Sequence, residues 1–210
     1  MRKPGCGALD IIRIDPTDAL VVIDMQRDFG EDTGALYVKG VHGEVLMEEV
    51  IHHCVELTKK PFGLKEGSRD VHCRNHVEEK IFGIHVRKGT RGAEPLPELK
   101  DFYEALGCKV LVKGGEWAVI SHAVSTSPHW AAHLALLRRV GIKRIFLCGL
   151  AYTHCVGDSA IAYAQQGFEV YIVRDATRSV APPYGDPELM KKKLALFGVS
   201  EIIAADIGVD

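Results

Sequence analysis

"KRIFLCGLAYTHCVGDSAIAYAQQGFEVYIVRDA", Lys143 to Ala176, holds in one run the alternation that decides the fold. "KRIFLCGL" is a short, almost continuously apolar stretch, the pattern of a strand buried on both faces. Val156 to Gln166 has helical length and composition and is closed by Gly167, a residue suited to a helix C-terminus. "FEVYIVRDA" then reads as a second strand, rich in β-branched and aromatic residues. Strand, helix and strand in this order predict a right-handed crossover between parallel neighbours.

The same alternation runs outward in both directions. "DALVVIDMQ" is a buried strand ending at Asp24, and Gly43 to Lys59 carries apolar residues at helical spacing. "CKVLVKGG", Cys108 to Gly115, is a strand that stops at Lys113 where the glycines begin. "HWAAHLALLRRVG" is a helix ended by Gly141. "DPELMKKKLALFG" is another, with Asp186 as cap and Pro187 at its first position. "SEIIAAD" is a last short strand. The predicted fold is a Rossmann-like three-layer α/β/α sandwich with a mainly parallel central sheet. It spans residues 1–210 as one domain, with 1–17 as an N-terminal tail. The stretch from Lys59 to Phe102 is too long for a bare loop, yet "FGLKEG" before "SRDVH" has almost no apolar signal for the strand that belongs there.

Composition narrows the function classes. The 210 residues are 47% hydrophobic and 26% charged, with net charge -2, so no polyanion-binding surface is expected and nucleic acid is not a partner. No apolar stretch is long enough to span a bilayer, and "MRKPGCGALD" lacks the apolar core of a secretory signal. The expected location is cytoplasmic. Six cysteines without a CxxC pair point to a reducing compartment and against a disulfide framework. Cys54, Cys108 and Cys148 lie in apolar segments as core side chains, and Cys6 lies in the tail. Cys73 and Cys155 stand where chemistry is plausible.

In an open parallel sheet, sites form beyond the carboxyl ends of the strands. Asp24 ends one strand, Lys113 ends another, and Cys155 follows shortly after a third. Singly, each has a plainer explanation: a turn aspartate, a surface lysine, a buried thiol. A carboxylate, an ammonium and a thiol converging on one edge favour catalysis. A thiol attacks as the thiolate, and its free pKa is about 8.5. A helix N-terminus offers unpaired N–H groups and about half a positive charge, and a lysine adds to it. Cys155 is therefore expected to ionise near neutral pH and to attack a carbonyl whose oxyanion rests on backbone donors.

A second group lies in "RDVHCRNH" and "GIHV". Asp70 and His72 project from one side of an extended segment, and His85 is placed to complete a carboxylate-plus-two-imidazole set. Such a set suits zinc, iron or manganese. His76 and Cys73 compete as ligands.

The segments "ALVVIDMQRDF", "VKGG" and "FLCGLAYTHCVGDSAIAYAQQGFEVYIVRDATRSV" resemble the isochorismatase-like cysteine hydrolases. Within them, "RDVHCRNH", His85 and "KGTRGAEPLPEL" are similar to the nicotinamidases, also known as pyrazinamidases. The resemblance runs from about Asp18 to Ala205. It implies a catalytic triad of Asp24, Lys113 and Cys155, and an oxyanion hole from the amides of Ala151 and Cys155 beside a cis Leu150–Ala151 peptide. It implies Asp70, His72 and His85 as ligands of a divalent metal, zinc first, and Phe29 and His154 as substrate-binding residues. Homo-oligomers are common among such proteins. The sequence departs from the family at Val71, where tryptophan is usual, at Cys73 for proline, at Arg27 for asparagine and at Val86 for cysteine.

The implied reaction is hydrolysis of nicotinamide to nicotinate and ammonia through a cysteine thioester, in NAD salvage. The rival readings are an amidase for another small amide, and a catalytically silent metal-binding member of the family.

Overall fold

The structure is a computed structural model that describes residues 11–208. Cys6 and most of the expected tail lie outside the described residues, as does the side chain of Cys108. Six strands form one sheet: β2 (Asp18–Ile23), β3 (Leu64–Asp70), β4 (Val110–Lys113), β5 (Arg144–Leu150), β6 (Glu169–Arg178) and β7 (Ser200–Ile202). Their order is β4-β3-β2-β5-β6-β7, and every neighbouring pair is parallel. The mainly parallel α/β architecture predicted from the alternation is present.

The helices divide between the two faces of this sheet. α2 (Met47–Lys59) and α4 (Lys100–Leu106) cover one face, where Leu20 and Val22 of β2 pack with Val50, Cys54, Leu57 and Tyr103. α5 (Trp130–Arg139), α6 (Gly157–Gln165) and α7 (Pro187–Leu196) cover the other. There Ala19, Val21 and Ile23 pack with Leu137, Ala160, Tyr163 and Leu194. Alternate residues of one strand thus feed two cores, which is why β2 reads as an unbroken apolar run. Cys54 and Cys148 are fully buried, as expected. α7 begins as its sequence predicts, with Asp186 accepting from the Leu189 amide at 2.9 Å and Pro187 at the first position.

Two short helices, α1 (Arg27–Gly30) and α3 (Glu79–Phe82), lie in the segments that follow β2 and β3. Among the described residues, no helix is long and apolar enough to cross a membrane.

One expectation is corrected, and another is met in spite of its weak signal. Ile12–Arg13, assigned by sequence to the tail, forms β1 and pairs in parallel with β8 (Ile207–Gly208). The strand with almost no apolar signal exists: β3 takes up "LKEGSRD" and lies between β2 and β4. Its polarity has a structural cause. Glu66, Ser68 and Asp70 share one face, all buried, and each meets a polar partner. Glu66 meets His133 at 3.1 Å, Ser68 meets Asp24 at 2.7 Å and Asp70 meets Lys113 at 3.4 Å. A strand that feeds polar groups into the interior gives up the apolar signature by which strands are recognised.

Candidate active site

The site opens at the carboxyl edge of the sheet, where β2, β3, β4 and β5 end side by side. β2 ends at Ile23, and Asp24 turns into the left-handed region with φ 45°, a conformation rare outside glycine. Its amide bonds to the Ser68 carbonyl at 3.2 Å. Lys113 ends β4, directly opposite Asp70 in the register. Gly114 follows with φ 79°, and a Cβ there would lie 2.3 Å from Asp70 Oδ1. Only glycine lets the chain turn away so close to the carboxylate.

Asp24, Lys113 and Cys155 come together as their strand-end positions predict. Lys113 Nζ lies 2.7 Å from Asp24 Oδ2, 3.4 Å from Asp70 Oδ2 and 3.6 Å from Cys155 Sγ. Burial works against the lysine charge, but the Asp24 and Asp70 carboxylates and Cys155 outweigh it and hold its pKa well above the ordinary value. Asp24 is shifted up, by burial first and by the nearby Asp70 charge, against the pull of Lys113 and the Ser68 hydroxyl. Asp70 goes the other way: burial raises it, yet Lys113, His72 and Ser121 together hold it far below the usual carboxylate range.

Cys155 is 7% exposed and lines a cavity of about 340 Å³. It lies in a turn of π-helix, Tyr152–Val156, that leads into α6. Here the structure corrects an expectation. Burial pushes the thiol well above its ordinary pKa, Lys113 opposes this, and the charges of Asp24, Asp70 and Glu78 add to the rise. Attack therefore needs a base, and the raised carboxyl of Asp24 is of the right kind. The Leu150–Ala151 peptide is cis, and Ala151, like Phe29 and His154, lines the same cavity. Burial, with His122 nearby, pushes His154 down to about 4, so its ring is neutral at pH 7.

The metal-type residues gather beside Asp70. His72 Nε2 is 3.2 Å from Asp70 Oδ1, and the His72 and His85 rings meet edge to face at 4.6 Å. Among the described residues, the group whose ligand atoms converge within 4.8 Å is His72, His76 and Glu78, which shares only His72 with the expected Asp70, His72 and His85. His76, a competitor in the sequence reading, stacks on His72 at 3.8 Å. Glu78 was not anticipated, because "VEEK" sets one glutamate apart from the next by nothing but the fold. Nε2 of His72 and of His85 each lie 3.9 Å from the Glu78 carboxylate, and His122 Nε2 lies 3.7 Å from it.

These residues fit a divalent cation. His85 Nδ1 lies 2.7 Å from the Gly83 carbonyl. A proton placed there turns the Nε2 lone pair toward the Glu78 carboxylate. Two electron-rich atoms facing each other call for a positive charge between them. Among the described residues, His72 Nδ1 and His76 Nε2 are buried without a hydrogen-bond partner. Carboxylate and imidazole donors together suit zinc, iron or manganese.

Several contributors carry no signal in a single sequence. The Gln26 side chain pairs with both backbone groups of Asp70, accepting from its amide at 2.7 Å and donating to its carbonyl at 2.8 Å. The Ser121 hydroxyl is 2.9 Å from both Asp70 Oδ1 and Glu78 Oε1. Phe82 faces His85, His154 and Tyr184 around the cavity at 5.6–6.1 Å between rings. A buried thiol, a buried base and an aromatic-walled cavity can hold a small planar amide and cleave it.

Comparison with known proteins agrees with this chemistry. Residues 18–199 match the family model described as the isochorismatase domain. The chain is similar to a nicotinamidase of Saccharomyces cerevisiae, 22% identical over 82% of this chain and 92% of the relative. Among solved structures it is similar to PnC1 from L. infantum in complex with nicotinate, with 25% identity and TM-score 0.79 over 95% of this chain and 99% of that one. It is also similar to a pyrazinamidase of Pyrococcus horikoshii in complex with zinc, with 29% identity and TM-score 0.72 over 90% and 99%.

Proposed function

The chain belongs to the isochorismatase family, in its nicotinamidase and pyrazinamidase branch, which makes it an amidohydrolase, and we propose that it converts nicotinamide to nicotinate and ammonia. The observation that carries this reading is the meeting of Asp24 and Lys113 with Cys155, which itself lines an aromatic-walled cavity. Asp24 takes the thiol proton as Cys155 attacks the carboxamide carbon. Lys113 neutralises the carboxylate and the forming sulfur charge. The amides of Ala151 and Cys155 receive the oxyanion. Asp24 then passes its proton to the departing ammonia, leaving a thioester, and draws a proton from the water that hydrolyses it. Phe29 and His154, with the Phe82 wall, hold the ring flat so that the amide meets the sulfur.

Asp70, His72 and His85, with His76 and Glu78 beside them, are the residues that would hold a divalent metal, zinc first. A bound ion supplies a Lewis-acidic point for the pyridine nitrogen. The reaction so proposed belongs to NAD salvage and to the cytoplasm.

The test is ammonia release from nicotinamide and from pyrazinamide by the purified protein, before and after chelation. Turnover of either amide supports the reading, and absence of turnover by metal-loaded protein removes it.

A further inference from the structure

Ser68 is fully buried on β3, two residues before Asp70. Its hydroxyl donates to Asp24 Oδ1 at 2.7 Å, and its carbonyl accepts the Asp24 amide at 3.2 Å. The same carbonyl accepts the Tyr103 hydroxyl at 3.1 Å. Tyr103 in turn reaches the Val22 carbonyl at 3.2 Å, so the support beneath Asp24 is itself tied to β2.

This arrangement makes the two carboxylate oxygens unequal. Oδ1 is taken by Ser68. Oδ2 is ion-paired to the Lys113 ammonium at 2.7 Å. It is the oxygen on the side of the ammonium that also meets Cys155 Sγ at 3.6 Å. A carboxylate has a soft terminal torsion, and Asp24 stands on backbone with φ 45°. Without a second anchor, the group is free to swing both oxygens toward the ammonium.

We propose that Ser68 is a positioning residue for Asp24, fixing the carboxylate so that Oδ2 faces Lys113 and Cys155. It touches neither sulfur nor substrate and acts through Asp24 alone. The proposal rests on Asp24 as the proton acceptor and adds the residue that aims it. The fold shows why a hydroxyl stands in the middle of a buried strand. An apolar residue here would leave Oδ1 without a partner.

The experiment compares Ser68→Ala, Ser68→Thr and Ser68→Val with wild type in steady-state amide hydrolysis, with thermal unfolding alongside. A hydrogen bond to a charged group sets the scale. Ser68→Ala is expected to lower kcat by about 10- to 100-fold with KM unchanged. Ser68→Thr restores kcat, while Ser68→Val, of the same shape but without the hydroxyl, does not. If threonine and valine are too bulky to fold, Ser68→Ala still decides by its split between kcat and KM. A folded Ser68→Ala with wild-type kcat overturns the proposal, as do threonine and valine variants equally impaired while equally folded. A wild-type protein that releases no ammonia overturns the reading of Asp24 beneath it, a result distinct from an active wild type with an unimpaired alanine variant.

Discussion

Asp24 and Lys113 form an ion pair at 2.7 Å in which neither side chain has any exposure to solvent. Burying two charges is costly, and attraction repays the cost only where further partners are supplied. Here Ser68 completes the carboxylate and Asp70 a second face of the ammonium. The pair places a raised carboxyl and a fixed positive charge beside a buried thiol. That is what a proton-transferring, sulfur-attacking site requires.

The acidic limb of kcat/KM tests the state of Asp24. The base works deprotonated, so activity falls as pH drops through its pKa, and burial has moved that pKa up. The limb is expected above the ordinary aspartate range. A limb at or below an ordinary aspartate pKa contradicts this. Asp24→Asn should abolish turnover while leaving binding of nicotinate measurable.

His154 gives a stability prediction with a definite sign. Its folded pKa of about 4 lies below the 6.5 of a free histidine, so between those pH values the unfolded chain binds more protons. Stability then falls as pH falls from 6.5 toward 4, by an amount on the order of 3 kcal/mol in total. His154→Gln should remove most of that slope. The measurement is urea unfolding of both proteins at a series of pH values in this window.

Metal removal should be read by unfolding temperature as well as by rate. Chelation is expected to lower Tm, and zinc, iron or manganese to raise it in a concentration-dependent way. Glu78→Gln should weaken metal binding by about 10-fold or more, measured by competition with a chelator of known affinity. Unchanged affinity removes Glu78 from the donor group.

A further test lies within the helix layer rather than at the cavity. Glu66 is paired with His133 at 3.1 Å, and His133 Nε2 meets the Tyr163 hydroxyl at 2.8 Å, all three buried. His133→Leu leaves a buried carboxylate alone and should cost about 3–5 kcal/mol. Adding Glu66→Leu should recover part of that loss. A double variant less stable than either single one would show that the pair is not coupled in this way.

Much of this was readable in the chain because buried parallel strands write themselves as apolar runs. β2, β5 and β6 announced themselves, and with them the strand-end positions of Asp24 and Cys155. β3 did not, since Glu66, Ser68 and Asp70 spend its inward face on polar partners. Gln26, Glu78 and Ser121 were silent for another reason. Their importance lies in which atoms they meet, and a lone polar residue has no periodicity to reveal that. β1 and β8 have two residues each, too few for any pattern to register. A helix start and a lysine near Cys155 were visible in the sequence, whereas its burial among carboxylates, which pushes the thiol pKa up, was not.

The central claim is that Cys155 becomes acylated during turnover. Mixing the protein with nicotinamide, quenching in acid within the first turnover and measuring intact and peptide masses tests it directly. The account predicts a nicotinoyl group on the peptide bearing Cys155, absent from Cys155→Ala, which should also have lost turnover entirely. Full ammonia release by Cys155→Ala, or acylation of any other residue in its place, would contradict it.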